Sequence, residues 1–240
     1  MLHKELKILK DFLIQNYLPY DDEIINKFDI YIKLLQNSPH NVTAIKDSQE
    51  IVIKHFIDSI FIAKFYKKFK KDLKIIDIGT GAGFPGIPLK ILFPEIQLYL
   101  IESVKKKISF LKNLIDILDF SGIIILDERA EILAHDKTLR ERFDLVLSRA
   151  LAPFPILLEI TSPFAKQKKE IVAYKGENVK KELYEANKAL DVFNLIVKDI
   201  YFYSLPIIDH RRSLVFFEKA NKTPEKYPRR PGIPQKRPIK

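Results

Sequence analysis

The sequence has no cysteine and no tryptophan, and it holds only seven glycines among 240 residues. Without cysteine the chain has no means to form disulfides, thiolate zinc sites, iron–sulfur clusters or a cysteine nucleophile, and this fits a reducing compartment. No apolar run approaches the roughly 18 residues that a membrane-spanning helix needs. The first residues alternate charged with apolar side chains, unlike a secretion signal. We therefore expect a cytoplasmic protein that does not cross a membrane.

Positive charge is concentrated at one end of the sequence. The formal net charge is +10, and the segment from Lys222 onward contains seven Lys or Arg, one Glu and five of the fourteen prolines. Proline at every third or fourth position favours extended backbone, so this segment is predicted to be a basic strap without helix or sheet. Such a strap suits a polyanion such as RNA, and the alternative is a disordered terminus that only aids solubility.

Apolar periodicity predicts three amphipathic helices near residues 3–17, 21–36 and 48–65. Strand-like and helix-like segments then alternate, and Ser103 is the expected N-cap of the clearest helix. The predicted strands are LKIIDI, IQLYLI, GIIIL, FDLVLS and EIVAY, with FNLIVKDIYFY and SLVFFEK after a helix at 177–190. Continuous apolar strands between helices indicate an α/β fold with a doubly wound, mostly parallel sheet.

Four of the seven glycines fall within eight residues, directly after the first predicted strand. In a doubly wound sheet this turn is the usual contact for a ligand. The dinucleotide pattern G-x-G-x-x-G fails from Gly79, because Phe84 takes the last position, and it fits only from Gly81, too late after the strand. The pattern D-x-G-x-G-x-G fits from Asp77 to Gly83, and it resembles the first motif of methyltransferases that use S-adenosylmethionine (AdoMet).

A carboxylate follows the second predicted strand. Glu102 lies 19 residues after Gly83, where it is placed to accept hydrogen bonds from both hydroxyls of a ribose. The spacing alone does not separate AdoMet from NAD. The alternative for an isolated Glu is a solvated acid at the end of a strand.

Several short motifs, in this order, resemble the RsmG (GidB) family of bacterial 16S rRNA guanine-N7 methyltransferases. They are NVTAI at 41–45, KHFIDS at 54–59, DIGTGAGFPGIPL at 77–89, RAE at 129–131, SRALAP at 148–153, YKGE at 174–177 and the ending KYPRRPGIPQKRPI. The resemblance implies the class I AdoMet-methyltransferase fold, with seven strands and a helical N-terminal extension. It suggests an extension at 1–70, a methyltransferase core at 71–220 and the tail at 221–240. The chain departs from the family where Ser213 replaces a common His.

The resemblance implies a set of cofactor-binding residues. Carried over position by position, the contacts are Gly79, Phe84, Ala130, Glu131 and Arg149. The glycine pattern and the strand end add Asp77, Gly81, Gly83 and Glu102. The expected methyl donor is AdoMet, and no metal is expected.

The chemistry of methyl transfer to guanine N7 requires little from the protein, because N7 carries a free lone pair at neutral pH. The sequence accordingly has no paired-carboxylate, Ser-His-Asp or H-E-x-x-H pattern, and no catalytic base is assigned. Arg149 and Lys175 are possible substrate contacts. For Arg149 we expect a bound methionine carboxylate or RNA phosphate, or else an ion pair with a nearby Asp such as Asp144.

His55, Asp58 and Ser59 share one helical face, at positions i, i+3 and i+4. A hydrogen-bond cluster that joins this helix to the rest of the protein is favoured over contact with RNA. The expected partner of the whole chain is 16S rRNA or the small ribosomal subunit, with neither DNA nor a membrane. The oligomeric state stays open, with a monomer as the expectation.

Two other functions remain open from the sequence. One is an AdoMet-dependent methyltransferase of a small molecule or a protein, and the other is a nucleotide-binding RNA chaperone without catalysis. An enzyme that acts on a small molecule has little use for a basic strap. A chaperone without catalysis has no need of AdoMet, whose sulfonium group serves to donate a methyl group. The motifs together with the charge therefore favour an rRNA methyltransferase.

Overall fold

Seven strands form one sheet in the computed structural model, which describes residues 4–208 and 210–239. The strands are β1 Lys74–Ile78, β2 Gln97–Ile101, β3 Ile123–Leu126, β4 Phe143–Arg149, β5 Ala165–Lys175, β6 Leu195–Ser204 and β7 Arg211–Lys219. Their order is β3-β2-β1-β4-β5-β7-β6, with β1 to β5 parallel and β7 antiparallel to both neighbours. The predicted doubly wound, mostly parallel sheet of seven strands is confirmed.

Helices cover both faces of the sheet. They are α5 Gly86–Leu92, α6 Lys105–Ile117, α7 Ala130–Leu133, α8 Phe154–Thr161, α9 Val179–Glu185, α10 Asn187–Phe193 and α11 Ile233–Lys236. Successive strand side chains point to opposite faces, so Ile75 of β1 packs in one apolar core and Ile76 in the other. The ends of β1, β2 and β4 meet at the middle of this sheet, where the strand order reverses.

The N-terminal extension consists of helices that pack on the first of these two cores. They are α1 Lys4–Gln15, α2 Asp22–Asn37, α3 Ser48–Glu50, a π-helical turn Ile51–Ile57, α4 Asp58–Ile60 and a 3-10 turn Phe61–Lys64. The Asp21 carboxylate caps α2 by accepting the N–H of Ile24 at 2.7 Å. Three helical segments were predicted from the periodicity, and the structure contains them, although the third is divided into four short pieces.

The expected N-cap of α6 is wrong. The helix begins at Lys105 without a side-chain cap from Ser103. Instead, Oε1 of Glu102 accepts the N–H groups of Ser103 and Val104, each at 2.8 Å. A carboxylate at the end of β2 reaches the free N–H groups at the helix start, so no serine hydroxyl is needed there.

The C-terminal tail is not an extended strap, and that prediction is wrong. Pro228 and Pro234 are buried, and α11 contacts α8. The chain turns at Gly232, whose φ is +83°, and Pro234 then lies in the first turn of α11. Proline is tolerated there because the first helical N–H groups have no partner within the helix. The prolines therefore shape a folded tail that packs on the core.

Candidate active site

The glycine-rich loop after β1 is held at both ends by one buried carboxylate. Oδ2 of Asp77 accepts the hydroxyl of Thr80 at 2.7 Å and the N–H of Gly86 at 2.9 Å. The side chain is fully buried, and this burial raises the pKa of Asp77 to about 6. Asp77 therefore fixes the conformation of the loop from the buried side.

The glycine at position 83 is explained by the packing of the protein itself. A Cβ placed there would lie 2.7 Å from both Cγ1 of Ile87 and the hydroxyl oxygen of Tyr31, and φ is +106°. The Tyr31 hydroxyl in turn donates to the carbonyl oxygen of Ala82. Helix α2 of the extension thus touches the loop at Gly83, so packing gives a second reason for this glycine, and its contact with the cofactor stays a prediction.

A cavity of about 240 Å³ opens at the carboxyl ends of β1, β2 and β4. We call it the first cavity. Its lining includes Gly79, Glu102, Ala130, Glu131, Ala150 and Gln235. Four of the predicted cofactor-binding residues therefore line one cavity, although Gly79 and Glu131 are 52 residues apart in the sequence.

Glu102 is nearly buried in the wall of the first cavity, with 6% of its surface exposed. Besides the two N–H groups at the start of α6, its carboxylate accepts the N–H of Gly81 through Oε2 at 3.1 Å. A carboxylate has roughly four acceptor positions, so three N–H bonds leave one of them available. The nearest cation, Nζ of Lys107, is 3.9 Å from Oε2.

Glu131 also lines the first cavity. Its carboxylate pairs with Arg129, with Oε1 at 2.7 Å from the NH2 nitrogen, and only 3% of the residue is exposed. Although burial opposes ionisation, hydrogen bonds from Arg129 and from the backbone of Gly232 hold the pKa of Glu131 below its ordinary value. Gly232 belongs to the C-terminal tail, so the tail reaches the cavity wall.

A second cavity, of about 330 Å³, lies beyond the ends of β4 and β5. Its lining includes His55, Asp58, Arg149, Ala150, Lys175 and Arg212. Ala150 lines both cavities, directly after β4. Residues from the extension, from β4 and from β7 are therefore brought together beside the first cavity.

Arg149 is held by the extension and not by Asp144. Its guanidinium lies 3.0 Å from Oδ2 of Asp58 and also donates to the carbonyl oxygen of Lys54 at 3.2 Å. Asp144 is occupied by Lys166, whose Nζ is 3.0 Å away. The alternative that Arg149 forms an ion pair is therefore confirmed, but the suggested partner Asp144 is wrong. The fold brings Asp58, which is distant in sequence, into contact with the guanidinium.

Phe84, a predicted cofactor contact, faces the extension. Its ring stacks on His55 at 4.4 Å and on Tyr31 at 5.3 Å between centroids, and the Arg149 guanidinium lies 4.9 Å from its centre. Phe84 is 5% exposed.

Five of the predicted cofactor-binding residues are absent from the described lining of the first cavity. They are Asp77, Gly81, Gly83, Phe84 and Arg149.

Hydrogen bonds join the helix of His55, Asp58 and Ser59 to the sheet. The hydroxyl of Tyr203 donates to Oδ1 of Asp58 at 2.8 Å, and the hydroxyl of Tyr174 donates to the carbonyl oxygen of Ser59 at 2.7 Å. The predicted cluster between the helix and the rest of the protein is confirmed. Neither tyrosine was identified from the sequence, because the residues around a tyrosine in a strand do not show which helix its hydroxyl group will contact.

Lys175 is also engaged within the protein. Its Nζ donates to Oε2 of Glu182 at 2.6 Å and to the carbonyl oxygen of Ala152 at 2.8 Å. It lies 4.5 Å from the centre of the Phe154 ring. The charge of Lys175 is therefore balanced, although the residue lines the second cavity as its predicted substrate role requires.

The model of the GidB family, described as rRNA small subunit methyltransferase G, matches residues 24–214. The chain belongs to this family. A curated relative named ribosomal RNA small subunit methyltransferase G, from Carboxydothermus hydrogenoformans, is 42% identical over 233 residues, covering 96% of this chain and 98% of the relative. Another of that name, from Acetivibrio thermocellus, is 42% identical and covers 100% of both. The family indicated by the motifs is confirmed.

Solved structures similar to this member of the GidB family agree on the fold. One titled as MtNAS in complex with MTA and tNA has a TM-score of 0.55 at 13% identity and covers 83% of this chain and 70% of that one. YcgJ from Bacillus subtilis also has a TM-score of 0.55, at 12% identity, covering 70% and 100%. The class I AdoMet-methyltransferase fold is confirmed, and AdoMet is the methyl donor of the family.

Two kinds of feature are lacking in residues 4–208 and 210–239 of this GidB-family chain. No group of three or more His, Cys, Asp or Glu that could hold a metal ion occurs in those ranges. No helix there has the length and apolar character needed to cross a membrane.

We expect His55 to remain neutral well below pH 6. Burial, and secondly the positive charge of Arg149, lower the pKa of His55 to about 3. Arg149 only donates, so Nδ1 accepts at 3.2 Å, and Nε2 carries the proton toward Thr43 at 2.8 Å. Ring chemical shifts measured by NMR from pH 8 to pH 5 should therefore stay constant.

The same pKa predicts how stability responds to pH. The folded pKa of His55 lies below that of the unfolded chain, about 6.5, so the unfolded chain binds the proton first. The contribution of His55 is complete above pH 6.5 and declines as the pH falls toward 3. A His55 ring that titrates between pH 7 and 6 in the folded protein would contradict this prediction.

Proposed function

We propose that this chain transfers the methyl group of AdoMet to N7 of a guanine in the 16S rRNA of the small ribosomal subunit. One observation carries the proposal. The first and the second cavity meet at Ala150, at the carboxyl ends of the central strands. A donor in the first cavity and a base in the second would face each other there, as an in-line displacement requires.

The first cavity fits the donor. Gly79, Glu102, Ala130 and Glu131 would hold AdoMet, which supplies an electrophilic methyl group on a positively charged sulfur. The remaining acceptor position of Glu102 suits a ribose hydroxyl. The lining contains three carboxylates against two cations, which leaves one negative charge in excess and suits a cationic ligand. They are Glu102, Glu128 and Glu131 against Lys107 and Arg129.

The second cavity fits a guanine whose positive charge increases during the reaction. A free cation beside N7 would oppose this increase. Two of its cations are balanced, because Arg149 lies 3.0 Å from Asp58 and Lys175 lies 2.6 Å from Glu182. Such N–H groups can donate to guanine O6 and to phosphates without adding net charge at the reacting nitrogen. Arg212 shares Asp58 with Arg149, its Nε 3.9 Å away, so its charge is left over for a phosphate.

The proposed step uses no general base. The N7 lone pair would attack the methyl carbon while the bond from this carbon to sulfur breaks. The products would be S-adenosylhomocysteine and a cationic 7-methylguanine, and no proton leaves N7. His55 is the one histidine in the second cavity among the described residues, and both of its ring nitrogens already have partners in Thr43 and Arg149. The protein would accelerate the reaction by holding the two groups in line, which supplies roughly 7 to 11 kcal/mol in well-oriented systems.

The target guanine should lie in a loop, a bulge or another opened segment of RNA. Its N7 is on the major-groove edge, and this groove is deep and narrow in a regular RNA duplex. A base that leaves the stack can enter the second cavity, while exposed cations nearby hold the flanking phosphates.

The test is methylation of RNA by the purified protein. Labelled AdoMet is incubated with unmodified 16S rRNA and, separately, with unmodified small subunits, and the RNA is digested to nucleosides for mass spectrometry. One 7-methylguanosine per RNA is the expected result. Methyl on adenine, cytosine or ribose would overturn the assigned position.

The alternatives give different results in this assay. Binding of AdoMet without transfer to RNA or subunits would favour a small-molecule or protein substrate. Binding of RNA without any methyl transfer would favour a chaperone.

Replacing Glu102 by alanine should weaken AdoMet binding by about 1.5 to 3 kcal/mol, because a hydrogen bond to a charged carboxylate is lost. The variant also frees three N–H groups of the loop and of α6, so its unfolding should be measured in parallel. Glu95→Ala is the control, since Glu95 is exposed and precedes β2. Calorimetry that gives equal affinity for Glu102→Ala and the native protein would exclude Glu102 from the donor site.

A further inference from the structure

The C-terminal tail is attached to the core beside the first cavity by an ion pair between a partly exposed arginine and a buried glutamate. The Arg229 guanidinium donates to both oxygens of Glu159 at 2.9 and 2.7 Å, and its backbone N–H adds a third bond at 2.8 Å. Glu159 is fully buried in α8. The guanidinium also donates to the carbonyl oxygen of Arg237 at 2.8 Å, which closes the tail on itself. The segment from Arg229 to Arg237 is therefore fixed in position.

This fixed segment supplies one wall of the first cavity. Gln235 of α11 lines the cavity together with Glu131 and Ile160. Pro234, next to it, is buried, whereas Gln235 is exposed. The side-chain amide of Gln235 has no hydrogen-bond partner within residues 4–208 and 210–239. An amide that lines a cavity without a partner has both a donor and an acceptor to offer to a ligand.

The position of Gln235 in the first cavity indicates which part of AdoMet it would contact. In the proposed function the sulfur lies toward Ala150, where the two cavities join, and the ribose lies at Glu102. The adenine is attached to the ribose at the side away from the sulfur. It would therefore extend along Ala130 and Glu131, toward Gln235.

We propose that Gln235 hydrogen-bonds the adenine of AdoMet, so that the C-terminal tail is a specificity-determining part of the donor site. This inference rests on the proposed function. Adenine presents an amino group as donor and a ring nitrogen as acceptor next to it, and a carboxamide pairs with both. The family model ends at residue 214, so this wall lies outside the part of the chain that the family model describes.

A double-mutant cycle tests the contact. Binding of S-adenosylhomocysteine, and of its analogue without the 6-amino group, is measured by calorimetry for the native protein and for Gln235→Ala. We expect Gln235→Ala to weaken the adenine ligand about three- to tenfold, as for the loss of a neutral hydrogen bond. Loss of the amino group should cost the native protein a similar factor and the variant almost nothing.

Lys236→Ala is the matched control, because Lys236 is the exposed neighbour of Gln235 in the same short helix. Its affinities for both ligands should equal those of the native protein. Unchanged affinity in Gln235→Ala, or losses that simply add in the cycle, would overturn the proposed contact while the donor site stands. A native protein that binds neither ligand would instead overturn the proposed function itself.

Discussion

Replacement of Asp58 by alanine should lower the free energy of unfolding by about 3 to 5 kcal/mol, the range seen when one partner of a buried ion pair is removed. Asp58 is 4% exposed and accepts from Arg149 at 3.0 Å and from Tyr203 at 2.8 Å. Without the carboxylate, Arg149 keeps its charge in a site where only 13% of its side chain reaches water. Urea unfolding followed by circular dichroism measures the change.

Two further variants locate the origin of this loss. Asp58→Asn keeps oxygen for one of the two donors but removes the charge, so it should fall between alanine and the native protein. Glu50→Ala removes a surface pair with Lys54 in which 47% of the Glu50 side chain is exposed, and it should cost less than about 1 kcal/mol. If Asp58→Ala and Glu50→Ala are equally stable, the pair with Arg149 contributes no more than a surface contact.

The second large effect is expected for Gly83→Ala, at about 2 to 5 kcal/mol of lost stability. The added methyl would lie 2.7 Å from both Ile87 and the Tyr31 hydroxyl, and φ is +106°. Overpacking typically costs about 1 to 3 kcal/mol, and a left-handed backbone adds roughly 1 to 2 for a residue with a side chain. Thermal and urea unfolding should both register the loss.

The double variant Gly83→Ala, Tyr31→Phe separates the collision from the backbone strain. Removing the Tyr31 oxygen relieves one of the two close approaches, so the double variant should lose less stability than the sum of the single variants. Gly176→Ala is the control, because nothing lies within 4 Å of a Cβ there. Additive losses would show that the Tyr31 contact is not what requires glycine at position 83.

The strands could be predicted from the sequence because each is a short apolar run bounded by polar or turn residues. β1 was expected to end at Ile78 and does. The loop motif and Glu102 were also predictable, since a ligand site in a doubly wound sheet lies at fixed places along the chain. Gly79, Glu102, Ala130 and Glu131 accordingly line one cavity.

What failed depends on contacts between distant parts of the chain. The tail was expected to be extended because of its proline spacing. This local pattern does not show that Arg229 binds Glu159, which is 70 residues away in the sequence. Arg149 was given Asp144 as its possible partner because the two are close in sequence, whereas Asp58 is 91 residues away. The close approach of Tyr31 to Gly83 was likewise not visible in the sequence.

The hydrogen bond between Tyr203 and Asp58 spans 145 residues, and this has a consequence for the newly made protein. A bacterial ribosome that adds 5 to 20 residues per second needs roughly 7 to 30 s to make that stretch. Asp58 is synthesised first, Arg149 of β4 follows 91 residues later, and Tyr203 of β6 completes the set of partners. The contacts of α2 and α4 with α5 become available once Gly86–Leu92 has left the exit tunnel, whereas the Asp58 carboxylate lacks its tyrosine partner until β6 follows. For this chain, docking of its first-made helices therefore begins on α5 during synthesis and is completed only after β6 has emerged.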